Sequence, residues 1–185
     1  MLLPVAAAPV ASGETWTHRD GRRDVAAVQY NIPLDGFVIK AAPKNRHADI
    51  TRVTVDHAAD RLKVRVDLRD VTRVRRLYRQ LRARIVTPDE SFLLDTGPRP
   101  GPGRPSIVDA ERQAVRCPDL SFEVRVGADE VVLSVPTTCL GSPETLRFGV
   151  TYISTYGTVT YRDDPLRGRI RQLRDARLSP PIAVG

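Results

Sequence analysis

The sequence predicts an all-β fold, a single antiparallel β-sandwich of jelly-roll-like type. Apolar and polar residues alternate in many short segments, and turn signals recur about every ten residues. No long segment keeps the period of an amphipathic helix. The chain has 185 residues, 41% of them hydrophobic, which suits one domain with a core of ordinary size.

Each alternating segment predicts a strand with one apolar side. In chain order they are residues 51–56, 61–69, 81–87, 92–94, 120–126, 131–135, 146–152 and 158–161. Turns are expected at 58–60 and 127–130. The apolar sides should form the core, which we expect to include Trp16, Val53, Val55, Val64, Val66, Leu68, Ile85, Phe122, Val124, Leu133, Phe148 and Val150.

The remaining segments set the domain boundaries. Residues 31–48 hold prolines and a glycine and predict a long irregular connection, and the Gly/Pro-rich run at 97–105 predicts a surface loop. We expect a leader at 1–13, a sandwich domain at 14–165, and a basic, loosely attached C-terminal tail at 166–185.

The chain contains two cysteines, Cys117 and Cys139, which lie just outside the two ends of the predicted hairpin at 120–135. The strands of a hairpin come together there, so the geometry allows a disulfide. Closing a loop of about 20 residues stabilises a fold by roughly 3 kcal/mol in the chain-entropy model. The alternative is two buried free thiols. We predict the disulfide, because the N-terminus favours secretion.

Residues 1–13 resemble the apolar region and small-residue cleavage zone of a signal peptide, although no Lys or Arg precedes them. Either the true start lies upstream of Met1, or the segment is an apolar leader. It is too short to span a membrane, and no later segment approaches the required length. We therefore expect a secreted, extracellular protein with no membrane span, folded in an oxidising compartment.

The net charge of +7 comes almost entirely from arginine and favours acidic partners. Five basic side chains point away from the apolar sides of their strands and would form one anion-binding surface if those strands were neighbours. They are Lys63, Arg65, Arg82, Arg84 and Arg125, with Arg73, Arg75, Arg76 and Arg79 as an extension. The alternative is a solvated face balanced by acidic residues. No nucleic-acid recognition motif is present, so we do not expect nucleic acid as the partner.

Four aspartates form a candidate Ca²⁺ site. Asp20 and Asp24 lie on either side of Gly21, and Asp163 and Asp164 follow the last predicted strand. The first and last strands of a sandwich often lie close together, so these carboxylates could converge as the oxygen ligands that Ca²⁺ prefers. The spacing does not match an EF-hand loop, and the alternative is that both pairs belong to ordinary turns.

Motifs for catalysis are missing from the sequence. His18, His47 and His57 are far apart along the chain, and neither they nor the cysteines have metal-ligand spacing. The chain has no Gly-x-Ser-x-Gly elbow, no His-Glu-x-x-His pair and no phosphate-binding Gly-Lys loop. We expect a protein that is not an enzyme; a hydrolase whose site is assembled from distant residues is the remote alternative.

A strand ending in Val135-Pro136 is followed by a short helical turn with Cys139 and by a further strand from Leu146. Segments 15–20, 49–55, 82–88 and 163–164 complete this pattern in the same order. Over about residues 14–165 the chain thereby resembles secreted bacterial proteins with a DOMON-like β-sandwich, similar in fold to family-9 carbohydrate-binding modules. The resemblance implies an extracellular, non-catalytic module.

The function expected from these observations is binding of a cell-envelope polysaccharide or another anionic glycan. The alternative is a structural or protein-interaction domain with no small ligand. Such a domain would bind a secreted protein through an exposed sheet edge or through the 97–105 loop.

Overall fold

The computed structural model describes residues 14–21, 23–71, 78–97, 105–168 and 175–185. In these residues the chain is all-β, with two antiparallel sheets and one disulfide, which confirms the predicted fold class. The predicted leader at 1–13, the side chains of Arg73, Arg75 and Arg76, and loop residues 98–104 lie outside the described residues.

The strands have the following bounds in chain order: β1 Glu14–Arg19, β2 Ala26–Asn31, β3 Gly36–Ala41, β4 Ile50–His57, β5 Arg61–Leu68, β6 Tyr78–Val86, β7 Ser91–Asp95, β8 Ser106–Val108, β9 Ser121–Arg125, β10 Glu130–Pro136, β11 Thr145–Tyr156, β12 Val159–Asp163 and β13 Ile182–Ala183. Short 3₁₀ turns lie at Ile32–Leu34, Val126–Ala128 and Thr137–Leu140.

The two sheets face each other across the core. The smaller sheet has the order β1-β4-β5-β10-β9, and the larger has the order β3-β2-β12-β11-β6-β7-β8, with β13 paired to β11. In β5, buried Leu62, Val64 and Val66 alternate with Lys63 and Arg65. Side chains of a strand point alternately to opposite faces, so this pattern turns one apolar side toward the opposite sheet.

The core follows the predicted alternation. Nine of the twelve predicted core residues are buried, namely Val53, Val55, Val64, Val66, Leu68, Ile85, Leu133, Phe148 and Val150. Trp16, Phe122 and Val124 are only partly buried and pack against the margin of the core. They lie on β1 and β9, which are the two edge strands of the smaller sheet. An edge strand has a neighbour on one side only, so its side chains stay partly open to solvent.

The predicted disulfide is present. It joins Cys117, just before β9, to Cys139 in the 3₁₀ turn after β10, with a Cα–Cα distance of 5.4 Å. The bridge therefore closes the β9–β10 hairpin at its open end.

Residues 175–185 pack against the larger sheet, which corrects the expectation of a loosely attached tail. Ile182 is fully buried and β13 pairs with β11. The Ser179 amide donates to the Phe148 carbonyl at 2.7 Å. Gly149 permits this approach, because a Cβ there would lie 2.5 Å from the Arg177 carbonyl oxygen. The charged composition of this segment predicts a loose tail. What holds the segment in place is a set of main-chain hydrogen bonds and one buried apolar side chain, Ile182, and composition reveals neither.

The β2–β3 hairpin forms an uncovered edge of the larger sheet. Residues 31–48 are predicted to be irregular, but they contain β3 and the Ile32–Leu34 turn. β3 is the edge strand, and none of its residues is buried. The smaller sheet therefore does not cover this edge.

Candidate functional site

The structure brings together three of the four predicted metal ligands. One carboxylate oxygen from each of Asp20, Asp24 and Asp163 lies within 4.8 Å of the other two. Asp20 follows β1, Asp24 precedes β2, and Asp163 ends β12. Because β12 pairs with β2, the two ends of the domain meet at this acidic cluster, as the sequence argument expects.

Asp163 is the most deeply buried member of the acidic cluster, with no exposed surface. Its Oδ2 accepts the Ile50 amide at 2.8 Å, while its Oδ1 has no hydrogen-bond partner among the described residues. The pKa of Asp163 is raised to about 8, chiefly by burial; the Ile50 amide opposes the rise, and the negative charges of Asp24, Asp20 and Asp49 contribute to it. Without a cation this carboxyl keeps its proton at neutral pH.

Asp164 does not join the acidic cluster. Neighbouring residues of a strand point to opposite faces, and the Asp164 carboxylate accepts the amides of Leu166 at 3.1 Å and Arg177 at 2.9 Å. It also accepts Arg167 Nε at 2.8 Å. Burial raises its pKa, and these donors oppose the rise. Asp164 therefore holds the C-terminal segment in place.

Asp49 is a further buried carboxylate that sequence analysis left without a role. It is fully buried just before β4, and its Oδ2 accepts Arg69 Nε. This hydrogen bond is the main reason that the pKa of Arg69 is raised. No spacing in the sequence links position 49 to positions 20, 24 and 163, so only the fold could reveal it.

A divalent cation suits the acidic cluster chemically. Buried carboxylates of like charge are costly, and a bound cation offsets that cost. Ca²⁺ takes about six to eight oxygen ligands, of which the cluster would supply three, and water or main-chain carbonyls would have to supply the rest. Binding would displace the proton from Asp163, because a ligating carboxylate must be deprotonated. Cation binding itself stays a prediction.

The basic residues predicted to form one anion-binding surface are divided between the two sheets. Lys63 and Arg65 lie on β5 and Arg125 on β9 of the smaller sheet, whereas Arg82 and Arg84 lie on β6 of the larger. β5 and β6 are therefore not neighbours. Arg79 also lies on β6.

Four of the five residues predicted to bind an anion have acidic partners; Lys63 is the fifth. The ion pairs are Arg65–Glu130 at 3.3 Å, Arg125–Glu123 at 2.7 Å, Arg125–Glu130 at 2.8 Å, Arg82–Asp95 at 2.9 Å and Arg84–Asp175 at 3.7 Å. Such exposed pairs contribute little to stability, but they neutralise the charges that an anion would need. These ion pairs favour the alternative interpretation, in which the basic residues form a solvated surface balanced by acidic residues and do not bind an anion.

A different set of cations converges beside the acidic cluster. Arg23, Lys44, Arg46 and Arg69, with Pro43, line a concavity of about 340 Å³, which we call the basic groove. Arg69 is paired with Asp49 at one side of it. The other three side chains are exposed and form no ion pair with any carboxylate in the described ranges.

One further concavity adjoins the basic groove, and a second lies beyond it along the uncovered edge. One of about 530 Å³ shares Pro43, Lys44 and Arg46 with it and reaches Tyr161 on β12. The next, of about 300 Å³, is bordered by Val159, two residues before Tyr161 on the same face of β12, and ends at the β2–β3 turn. Together they make an open path along strands β12, β2 and β3.

The histidines occupy three separate structural positions. His18 stacks on Trp16 with ring centroids 6.0 Å apart, and its Nε2 lies 2.9 Å from the Pro165 carbonyl oxygen. His57 is fully buried, with Nδ1 3.3 Å from the Ile182 carbonyl oxygen. His47 lies 3.9 Å from Asp70.

No protein-family model, curated protein or solved structure matches this chain. The resemblance to DOMON-like sandwiches therefore stays a prediction. Within the part of the chain that the structure describes, no helix is long and apolar enough to cross a membrane.

Proposed function

We propose that this protein is a secreted, non-catalytic binding module that holds an anionic polysaccharide in the basic groove. The observation that carries the proposal is the convergence of four cationic side chains on one concavity, three of them without an acidic partner among the described residues. Guanidinium groups bind carboxylate and sulfate with two parallel hydrogen bonds, and exposed cations that lack a partner are ready for such a ligand.

The loop that carries Lys44 and Arg46 is held by its own hydrogen bonds. The Ala42 amide donates to the Val25 carbonyl at 2.7 Å, and the Ala42 carbonyl accepts the Asn45 amide at 2.9 Å. Asn45 Oδ1 then accepts the Ala48 amide at 3.0 Å. A loop fixed in this way loses less conformational freedom when a ligand binds, so more of the interaction energy remains as affinity.

The shape of the surface favours a polymer over a small anion. The basic groove continues into the open path along β12 toward Lys40 and the β2–β3 turn. An extended chain can lie along an open path and meet cations at more than one point. A compact anion would gain nothing from the length of the path.

The acidic cluster supports this function by ordering one wall of the basic groove. Arg23 directly precedes Asp24, so a cation held by Asp24 would also restrain the Arg23 main chain. We therefore propose that Ca²⁺ strengthens ligand binding indirectly, through the position of Arg23.

Secretion belongs to the same proposal. The Cys117–Cys139 disulfide supports it, because disulfides persist in oxidising compartments and are rare in the cytosol. A polysaccharide of the cell envelope is the partner that such a compartment offers to a basic module.

The test is affinity gel electrophoresis against polyuronate, sulfated and neutral polysaccharides at physiological ionic strength. We expect retention by at least one anionic polymer and none by a neutral one. Replacing Arg23→Ala, Lys44→Ala and Arg46→Ala together should weaken retention by about tenfold or more, because three ligand contacts are lost.

The matched control removes the same number of charges elsewhere. Lys63→Ala, Arg65→Ala and Arg125→Ala together should leave retention within about twofold of the wild type, since long-range charge effects are screened at this ionic strength. Equal losses in both triple variants would show unspecific charge attraction and contradict the proposal. Absence of retention by every anionic polymer would contradict it as well.

A further inference from the structure

Exposed apolar side chains are concentrated on the β2–β3 hairpin. Seven large hydrophobic residues are exposed in the described parts of the chain, and four of them belong to this hairpin. They are Tyr30 at 50%, Phe37 at 62%, Leu34 at 71% and Ile32 at 82% exposure. Exposure increases toward the apex of the turn, so the apolar groups cover a protruding tip, which we call the apolar tip. Contiguous apolar surface on a basic, polar protein indicates a binding surface.

The apolar tip has a defined conformation. Asn31 Oδ1 accepts the Leu34 amide at 3.2 Å, and the Asp35 amide donates to the Ile32 carbonyl at 3.1 Å. The Tyr30 and Phe37 rings meet edge to face with centroids 5.5 Å apart. These contacts hold the turn in place while its apolar side chains face outward.

The charges near the apolar tip are almost all positive. In residues 25–48 the only acidic side chain is Asp35, whose carboxylate accepts the Tyr30 hydroxyl. Lys40 follows on β3, and Lys44 and Arg46 follow in the next loop. An apolar tip with cations behind it is complementary to a surface whose interior is apolar and whose boundary is negatively charged.

We propose that the β2–β3 hairpin binds the surface of an anionic lipid bilayer. Ile32, Leu34 and Phe37 enter the boundary between head groups and acyl chains, and Lys40 contacts the lipid phosphates. This mode of attachment is peripheral and reversible, because it uses a few side chains rather than a spanning segment.

The charges also decide against a second copy of this chain as the occupant. β3 is an open sheet edge, but Lys40 lies on it, and charged residues on an edge strand oppose pairing with another strand. Two copies with net charge +7 would in addition repel each other.

The experiment is co-sedimentation with vesicles at physiological ionic strength. One vesicle set contains phosphatidylglycerol and phosphatidylcholine, and the other contains phosphatidylcholine alone. We expect the wild type to bind the anionic set. Ile32→Ser with Leu34→Ser should reduce this binding by about tenfold or more, because the inserted apolar area is lost. The matched control is Leu93→Ser, which removes an exposed apolar residue from β7 and should bind as the wild type does.

A fluorescent reporter tests insertion directly. Leu34→Trp adds a second tryptophan to a chain whose native one is Trp16. Its emission should shift to shorter wavelength with anionic vesicles and be quenched by brominated acyl chains.

The proposal would be overturned if the wild type did not bind anionic vesicles, including the case in which the apolar tip mediates dimerisation instead. It would also be overturned if Ile32→Ser with Leu34→Ser bound the vesicles as strongly as the wild type. Groove variants and polysaccharides do not enter this experiment, so its outcome is independent of the proposed function.

Discussion

Two hairpins of this protein share the same turn and have opposite surroundings. In the β2–β3 hairpin, the Ile32–Leu34 turn is followed by Asp35 with φ 43° and ψ 48°. In the β9–β10 hairpin, the Val126–Ala128 turn is followed by Asp129 with φ 50° and ψ 40°. Both aspartates adopt the left-handed conformation, and both donate their amide to the carbonyl of the first turn residue.

The surroundings differ because β10 lies within the core, whereas β3 and the turn before it have no buried residue. In β10, Val131, Leu133 and Val135 are fully buried, and a disulfide closes the open end of the hairpin. The Asp129 carboxylate accepts the Val71 amide at 2.7 Å. In the β2–β3 hairpin the corresponding apolar residues are exposed. The comparison shows that a turn is a local property, whereas burial depends on what lies opposite.

The largest expected effect tests burial itself. Leu133→Ala should lower the free energy of unfolding by about 4 kcal/mol, because it removes a fully buried side chain and leaves a cavity. Ile32→Ala should change it by less than about 0.5 kcal/mol, since Ile32 is already exposed. Urea titration followed by circular dichroism measures both. A cost above about 2 kcal/mol for Ile32→Ala would mean that the apolar tip is covered within the monomer.

The second effect tests the covalent closure of the β9–β10 hairpin. Cys117→Ala with Cys139→Ala should lower the free energy of unfolding by about 3 kcal/mol, because the unfolded chain regains the freedom of a closed loop. Hydrogen exchange should increase first in β9 and β10 and remain unchanged in β2 and β3. Equal increases in both hairpins would show that the bridge acts on the whole domain.

The third effect tests the link between the acidic cluster and the β2–β3 hairpin. A hundredfold excess of Ca²⁺ over its Kd should raise the free energy of unfolding by about 2.7 kcal/mol. Because Asp24 lies two residues before the start of β2, the cation should protect amides of β2 and β3 more than those of β9 and β10. Equal protection of the amides in both hairpins would show that the cation does not act preferentially on the β2–β3 hairpin.

The acidic cluster also predicts how the free energy of unfolding changes with pH when no Ca²⁺ is bound. In chelator, the folded pKa of Asp163 is about 8, above its unfolded value of about 3.9. The native state therefore holds a proton that the unfolded state has released. This contribution is fully present below about pH 4 and is lost as the pH rises through 8. Unfolding free energy should thus fall between about pH 5 and 8 in chelator, by at most about 1.4 kcal/mol per pH unit for one proton.

Two variants separate cation binding from general acidity. Asp163→Asn should remove both this pH dependence and the response to Ca²⁺. Asp164→Asn should lower stability, because its carboxylate holds Arg167 and the Arg177 amide, but it should keep the response to Ca²⁺. An unchanged Ca²⁺ response in Asp163→Asn would refute the metal centre.

The smallest effect compares the two turns directly. Glycine adopts the left-handed conformation without strain, so Asp35→Gly should leave the free energy of unfolding within about 0.5 kcal/mol of the wild type. Asp129→Gly should lower it by about 1 kcal/mol, because the Val71 amide loses its acceptor. Thermal unfolding of the two variants side by side measures the difference, and equal stabilities would mean that the Val71 contact contributes nothing.

Much of the fold could be read from alternation alone. The strands around Val64 and Leu133 and the closing disulfide follow from local pattern and spacing. β2 and β3 were missed because their mixed polarity obscures the alternation: β2 buries only Ala26 and Val28, and β3 buries no residue. At the acidic cluster, the expectation that the first and last strands meet placed three carboxylates together. Asp164 is adjacent to Asp163 and points to the other face, which strand alternation would already have indicated.

The sequence by itself determined most of the strands, the turn at 127–130 and the pair of cysteines that can bridge, because these depend on side-chain periodicity and on residues close together along the chain. Only the tertiary structure decided which hairpin is covered and which cations share a groove. Coverage depends on the relative extent of two sheets, and the basic groove collects Arg23, Lys44 and Arg69 from separate segments. No local pattern records such distances, since they arise only when the two sheets pack.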